Sequence, residues 1–119
     1  MARAAKIRGL EKMRIYLSGK ITGRDKDDYT RHFARAEQFY KTGGFDVVNP
    51  VEIGEEILKA NPKATYSDIM AADLKALAEC THIVLLEGWE DSKGAKAERV
   101  EAEKLGLEIM YLKLWDGKK

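Results

Sequence analysis

The sequence predicts an α/β domain, a small doubly wound parallel sheet of the flavodoxin or Rossmann-like kind, with strand order 2-1-3-4 and helices on both faces. Two observations predict it. Short apolar runs rich in β-branched residues alternate with helical periodicities along the chain. The runs are apolar nearly throughout, which marks strands covered on both faces. Crossovers between them are expected to be right-handed. In such folds ligands bind beyond the carboxyl ends of the strands, at the switch point between strands one and three.

Residues 1–12 hold basic residues and no apolar segment, and are expected to form a flexible N-terminal extension. The domain proper is expected to span 13–115, with 116–119 a polar tail. Arg14-Ile15-Tyr16-Leu17-Ser18 reads as the first strand, and Gly19 to Gly23 as a turn-rich loop. Asp25, Asp27 and Asp28 suit a helix start, and Tyr29, Phe33, Ala36 and Tyr40 keep one apolar stripe until Gly43-Gly44. Phe45 to Val48 is the second strand, closed by Asn49-Pro50. A short helix over 51–60 is broken at Asn61-Pro62. A third helix runs from about Thr65 or Ser67 to Glu79, with Ser67-Asp68 as cap and first-turn acid. His82 to Leu86 is the third strand, Gly94 to Leu105 the next helix and Leu107 to Leu112 the fourth strand.

A chain of 119 residues makes one domain and buries a core without staples. The net charge of +1 favours neither polymeric nucleic acid nor a membrane surface. One cysteine excludes an internal disulfide, and two separated histidines form no zinc-like cluster. Neither a metal nor an organic cofactor is expected. A cytoplasmic location is the expectation. The Gly-Lys of the first loop lacks the glycine a Walker A motif requires, and G-x-G-x-x-G is absent.

Asp91 to Glu98 is the most informative stretch. Ser92-x-Gly94-x-x-x-Glu98 follows a buried strand and opens a helix, so hydroxyl and free N–H groups gather where anions bind well. Ala95, Glu98, Ala102 and Leu105 share one helix face, the apolar one, so Glu98 points inward. A buried carboxylate is costly unless paired or used. Asp73 falls within the Ile69, Met70, Leu74, Leu77 stripe of the third helix and should hold its proton to a raised pH, unless it only caps or pairs at the stripe's edge. Two carboxylates in different environments near one crevice suit glycosidic chemistry: one attacks the sugar carbon and the other handles the leaving group's proton. Ser18, Gly19, Lys20 and Gly23 offer a loop for phosphate or a sugar hydroxyl, or an ordinary strand–helix connection. Tyr16 is core or packs on a ribose. Trp89 stacks on a base or serves packing, and Asn49 presents an amide to the crevice or simply ends a strand.

Taken in order, Arg14-Ile-Tyr-Leu-Ser-Gly-Lys-Ile-Thr-Gly23, Val47-Val-Asn-Pro50, Asp73-Leu74 with Cys80, and Gly88-Trp-Glu-x-Ser92-x-Gly94-Ala95-x-x-Glu98 resemble the small phage and bacterial domains of the nucleoside 2-deoxyribosyltransferase-like superfamily. The resemblance covers residues 13 to about 112. It implies transfer of 2-deoxyribose between bases, or hydrolysis of 2′-deoxynucleoside 5′-monophosphates. It implies that Glu98 is the nucleophile on C1′, Asp73 the acid that assists base departure, Tyr16 a neighbour of sugar and nucleophile, and Ser92 a contact of the 5′-phosphate. It also implies a homodimer or higher homo-oligomer. The monophosphate hydrolases carry an arginine where this chain has Thr22, with Lys20 and Arg24 as the nearby cations that could take its place, and Thr81 stands where relatives often have Asp.

The expected function is therefore cleavage of a nucleoside or nucleotide N-glycosidic bond, or deoxyribosyl transfer. Glu98 would attack, Asp73 would donate, and Gly94, Ser92 and Lys20 would hold the 5′ end. The rival is a non-catalytic module that senses or sequesters a nucleotide.

Overall fold

The computed structural model describes residues 13–113. Their elements run β1 (Arg14–Ser18), α1 (Lys26–Thr42), β2 (Asp46–Val48), α2 (Pro50–Ala60), α3 (Tyr66–Leu77), β3 (His82–Leu86), a 3-10 turn (Trp89–Asp91), α4 (Lys93–Leu105) and β4 (Glu108–Leu112). The expected extension 1–12, Trp115 and the tail 116–119 lie outside the described residues.

The four strands form one parallel sheet of order β2-β1-β3-β4, as the sequence predicts. Tyr16 pairs with Val48 on one side and Ile83 on the other, and Ile83 pairs with Ile109. Residues paired across parallel strands share a face, so this register sorts the side chains into two cores. On one face Ile15, Leu17, Val84 and Leu86 pack with Phe33 and Ala36 of α1 and Val51 of α2. On the other face Tyr16, Ile83 and Leu85 pack with Leu77 of α3 and Ala102 of α4. Chain order explains the division. The step from β1 to β2 runs toward one edge and that from β3 to β4 toward the other, so right-handed crossovers put α1 and α4 on opposite faces.

Several boundaries differ from those expected. Phe45 stays outside β2 because its N–H donates to Tyr40 O and remains tied to the end of α1. Leu107 stays outside β4 for the same reason, its N–H closing on Ala102 O. Thr65, not Ser67, caps α3: Thr65 Oγ1 accepts from Asp68 N at 3.1 Å while Asp68 Oδ2 accepts from Thr65 N at 2.9 Å. That reciprocal capping box satisfies two donors at once, which Ser67 as cap would not do. The same helix ends at Leu77, short of Glu79. Pro50 occupies the first turn of α2, where its missing N–H costs nothing. Among the described residues no helix is long and apolar enough to cross a membrane.

Candidate functional site

Strand alternation puts Tyr16 and Ser18 on the same face of β1, at its carboxyl end. Above them lies α4, whose Ala95, Glu98 and Ala102 are buried. Glu98 is only 5% exposed. Tyr16 Oη donates to Glu98 Oε2 at 2.8 Å and Ser18 Oγ donates to Oε1 at 2.6 Å, so each carboxylate oxygen accepts one hydroxyl. Burial pushes Glu98 up to about 7, and the two donors hold it back from rising further. Burial, then the charge of Glu98, raises the Tyr16 phenol well above its ordinary range, so it remains a donor.

Asp73 reaches the same place from α3. It is 8% exposed, and its Oδ1 is buried with no hydrogen-bond partner among the described residues. Burial lifts it to about 8, and the charge of Glu98 adds to the shift. Tyr66, Met70, Asp73 and Leu77 form one stripe along α3. Its outer end lies over the first turn of α4, where a Cβ added at Gly94 would sit 2.9 Å from Tyr66 Oη and 3.3 Å from Met70 Cε. The missing side chain at Gly94 is what lets the two helices approach there. Ser92 is the N-cap of α4, its Oγ accepting from Ala95 N at 3.0 Å. Added to the Gly94 Cβ position, the Ser92 Oγ stands 3.9 Å away. Two buried acids thus lie between β1, α3 and α4, and Tyr66, Gly94 and Ser92 meet at the first turn of α4.

This stretch of chain is a recognised unit. Residues 13–111 match the family described as a domain of unknown function, DUF4406. The chain belongs to the DUF4406 family. No curated protein matches it. The DUF4406 match begins just before β1 and ends inside β4, so it includes every residue of the carboxylate cluster.

Other expected site residues of this DUF4406 domain have surroundings of their own. Asn49 is 7% exposed and uses both ends of its amide: Oδ1 accepts from Val51 N at 3.0 Å, and Nδ2 donates to Glu37 at 3.0 Å. It is a helix cap. Trp89 sits at the β4 edge, its ring 5.9 Å from that of Tyr111, with the Arg99 guanidinium 5.6 Å from its centre. Gly19 packs toward the α1 core, where a Cβ would meet Leu86 Cβ and Phe33 Cζ at 3.2 Å. Gly23 holds a left-handed backbone, φ +85, in open space. The Lys20 carbonyl accepts from Arg24 Nη1 at 3.0 Å, and the same guanidinium meets His32 Nδ1 at 3.2 Å and Asp28 at 3.0 Å. Arg24 therefore clamps the loop after β1. Burial and then Arg24 keep His32 below its ordinary value.

Two contributors were not read from the sequence in the place they hold. Ser18 reads both as the end of the first strand and as the start of a binding loop; it is the last residue of β1 and is fully buried beneath Glu98. The available signal was its spacing of two from Tyr16. Tyr66 was not singled out. Its spacing of seven from Asp73 puts it on the same helix face two turns toward the start of α3, against Gly94. Among the described residues no group of three or more His, Cys, Asp or Glu side chains is placed to hold a metal ion.

Proposed function

We propose that this domain breaks the N-glycosidic bond of a 2′-deoxynucleoside or its 5′-phosphate, by transfer of the sugar or by hydrolysis. The observation that carries the reading is the buried pair of acids between β1, α3 and α4. A buried Glu98 is gripped by two hydroxyls, beside an Asp73 that has one oxygen unpartnered among the described residues and a raised affinity for its proton. The ordered resemblance to the nucleoside 2-deoxyribosyltransferase-like superfamily supports the same assignment.

In the first step a Glu98 oxygen attacks C1′ and forms a sugar ester as the C1′–N bond breaks. Protonated Asp73 gives its proton to the departing base nitrogen. In the second step water, or the nitrogen of another base, attacks C1′. Asp73 takes the proton from that nucleophile, and Glu98 leaves as the carboxylate. Atoms and charge balance without a metal or organic cofactor. The domain works as a homodimer or larger homo-oligomer, with Val100, 50% exposed on α4, as part of the contact.

The test is incubation with a panel of 2′-deoxynucleosides and their 5′-monophosphates, with free base followed by chromatography. Wild-type protein should release base, and Glu98→Gln should lose several orders of magnitude of rate while retaining binding. More than a tenth of wild-type turnover in Glu98→Gln sinks the nucleophile. A wild type that binds nucleotide and never frees base makes the domain a sensor or sequestering module.

A further inference from the structure

We propose that Ser18 is a positioning residue for Glu98: its hydroxyl, acting with that of Tyr16, fixes the plane of the carboxylate and keeps it in the anionic form from which it attacks. The turnover half of this rests on the glycosidic reading above, and the electrostatic half does not. The terminal torsion of a glutamate is soft, so one donor leaves the carboxylate free to rotate about the bonded oxygen. Two donors two residues apart on one rigid strand, each to a different oxygen, remove that freedom. At 2.6 Å the Ser18 contact has the length of a hydroxyl donating to an ionised carboxylate, about 2.5–2.7 Å.

Chemistry separates Ser18 from its neighbours on the same strand face. A serine hydroxyl buried at 0% exposure at a strand end is costly unless it is bonded, and an alanine would fill the position at no such cost. The hydroxyl gains its place through what it does to Glu98. It favours the carboxylate over the neutral acid, opposing the burial that pushes the other way. The charged or titratable groups facing Glu98 are Tyr16 from β1 and Asp73 from α3. Tyr16 stays a neutral donor and Asp73 stays protonated while Glu98 ionises, so the Ser18 hydroxyl adds to that of Tyr16 and no neighbouring anion opposes the two.

The experiment is carbon-detected NMR titration of side-chain-labelled glutamate, with Glu98 assigned by its loss in Glu98→Gln. Ser18→Ala should raise the Glu98 midpoint by about one pH unit. Ser18→Thr, which keeps the hydroxyl, should leave it within a few tenths. In the wild type, which needs no variant to fold, the Ser18 hydroxyl proton should become slow to exchange as the pH rises through the Glu98 midpoint, where the carboxylate it meets is ionised. An unmoved midpoint in folded Ser18→Ala overturns the proposal, as does a rapidly exchanging wild-type hydroxyl. On any substrate found, the acid limb of the rate profile should move up with the midpoint in Ser18→Ala and return in Ser18→Thr. No substrate enters the titration. A shifted midpoint without base release therefore counts against the glycosidase reading alone, and base release with an unmoved midpoint counts against Ser18 alone.

Discussion

Glu98→Gln should stabilise the fold, and the gain should depend on pH. Folding raises the Glu98 carboxyl from 4.5 to about 7, chiefly by burial. Below pH 4.5 both folded and unfolded chains hold the proton, so the residue takes no part in the balance. Between 4.5 and 7 the folded chain keeps a proton that the unfolded chain has released, so raising the pH favours unfolding. Above 7 the cost is complete. At about 1.4 kcal/mol per unit it comes to about 3 kcal/mol. The hydroxyls of Tyr16 and Ser18 are already contained in that value, because they are what keeps the carboxyl from rising further. Glutamine has the size of the neutral acid and still meets both hydroxyls, one through its carbonyl and the other through its amide. Wild type and variant should therefore match near pH 4, and the gap should open through pH 7 and then level off. Asp73, relieved of the neighbouring charge, adds to the gain. Urea unfolding at pH 4.5, 6, 7.5 and 9, at one fixed protein concentration, measures the gap directly. A gap that stays flat with pH, or a variant less stable than wild type at pH 8, refutes the placement of Glu98 as a buried anion.

Asp73→Asn should slow cleavage most on substrates with poor leaving groups and should abolish the alkaline limb expected near pH 8. Equal losses on a natural and an activated substrate, or an unchanged alkaline limb, would place the acid elsewhere. Two glycine variants should diverge in thermal unfolding. Gly94→Ala meets Tyr66, which is 58% exposed and can swing outward, so stability should change by less than about 1 kcal/mol. Gly19→Ala meets the buried Leu86 and Phe33, so it should cost about 1–3 kcal/mol, and equal effects would contradict this packing. Sedimentation at tens of micromolar should show at least a dimer of the 13.4 kDa chain, and a purely monomeric species would refute the proposed assembly.

The sheet was legible because its strands carry a strong local signal. Ile15 to Leu17 and Ile83 to Leu86 are apolar on consecutive positions, and a strand of that kind must be covered on both faces. The inward aim of Glu98 was equally local, since Ala95 and Ala102 define the face it shares. What escaped was decided by pairs far apart in sequence. Nothing near Ser18 announces a partner eighty residues away. Asn49 and Glu37 form a contact across two elements, so the amide looked free when read beside Pro50 alone. Trp89, on the loop after β3, reads equally as a stacking surface and as a packing group. Its neighbours Arg99 and Tyr111 come from α4 and β4, and they hold it at the edge of the sheet. At the start of α3 the error was one of choice between two cap formers, and it was settled by the distance of three from Thr65 to Asp68.

The proposed division of labour between the two acids follows from hydrogen bonding more than from depth. Glu98 and Asp73 are buried to nearly the same degree, so desolvation alone would make them similar. They differ in what meets their oxygens. Both oxygens of Glu98 accept hydroxyls, and one oxygen of Asp73 accepts nothing among the described residues. As pH rises the first proton therefore leaves Glu98. The charge that appears there raises Asp73 further, so the pair carries one negative charge across neutrality. That state is the one the proposed first step consumes, with a carboxylate ready to attack and a carboxylic acid ready to donate. Transfer of the Asp73 proton to the base leaves an Asp73 anion, but Glu98 has by then become a neutral ester. The pair again holds one negative charge, now on the residue that must take a proton from the second nucleophile. Swapping the donors would swap the roles. In the proposed reaction the hydroxyls of Tyr16 and Ser18 thus determine which acid is the nucleophile as well as where it points.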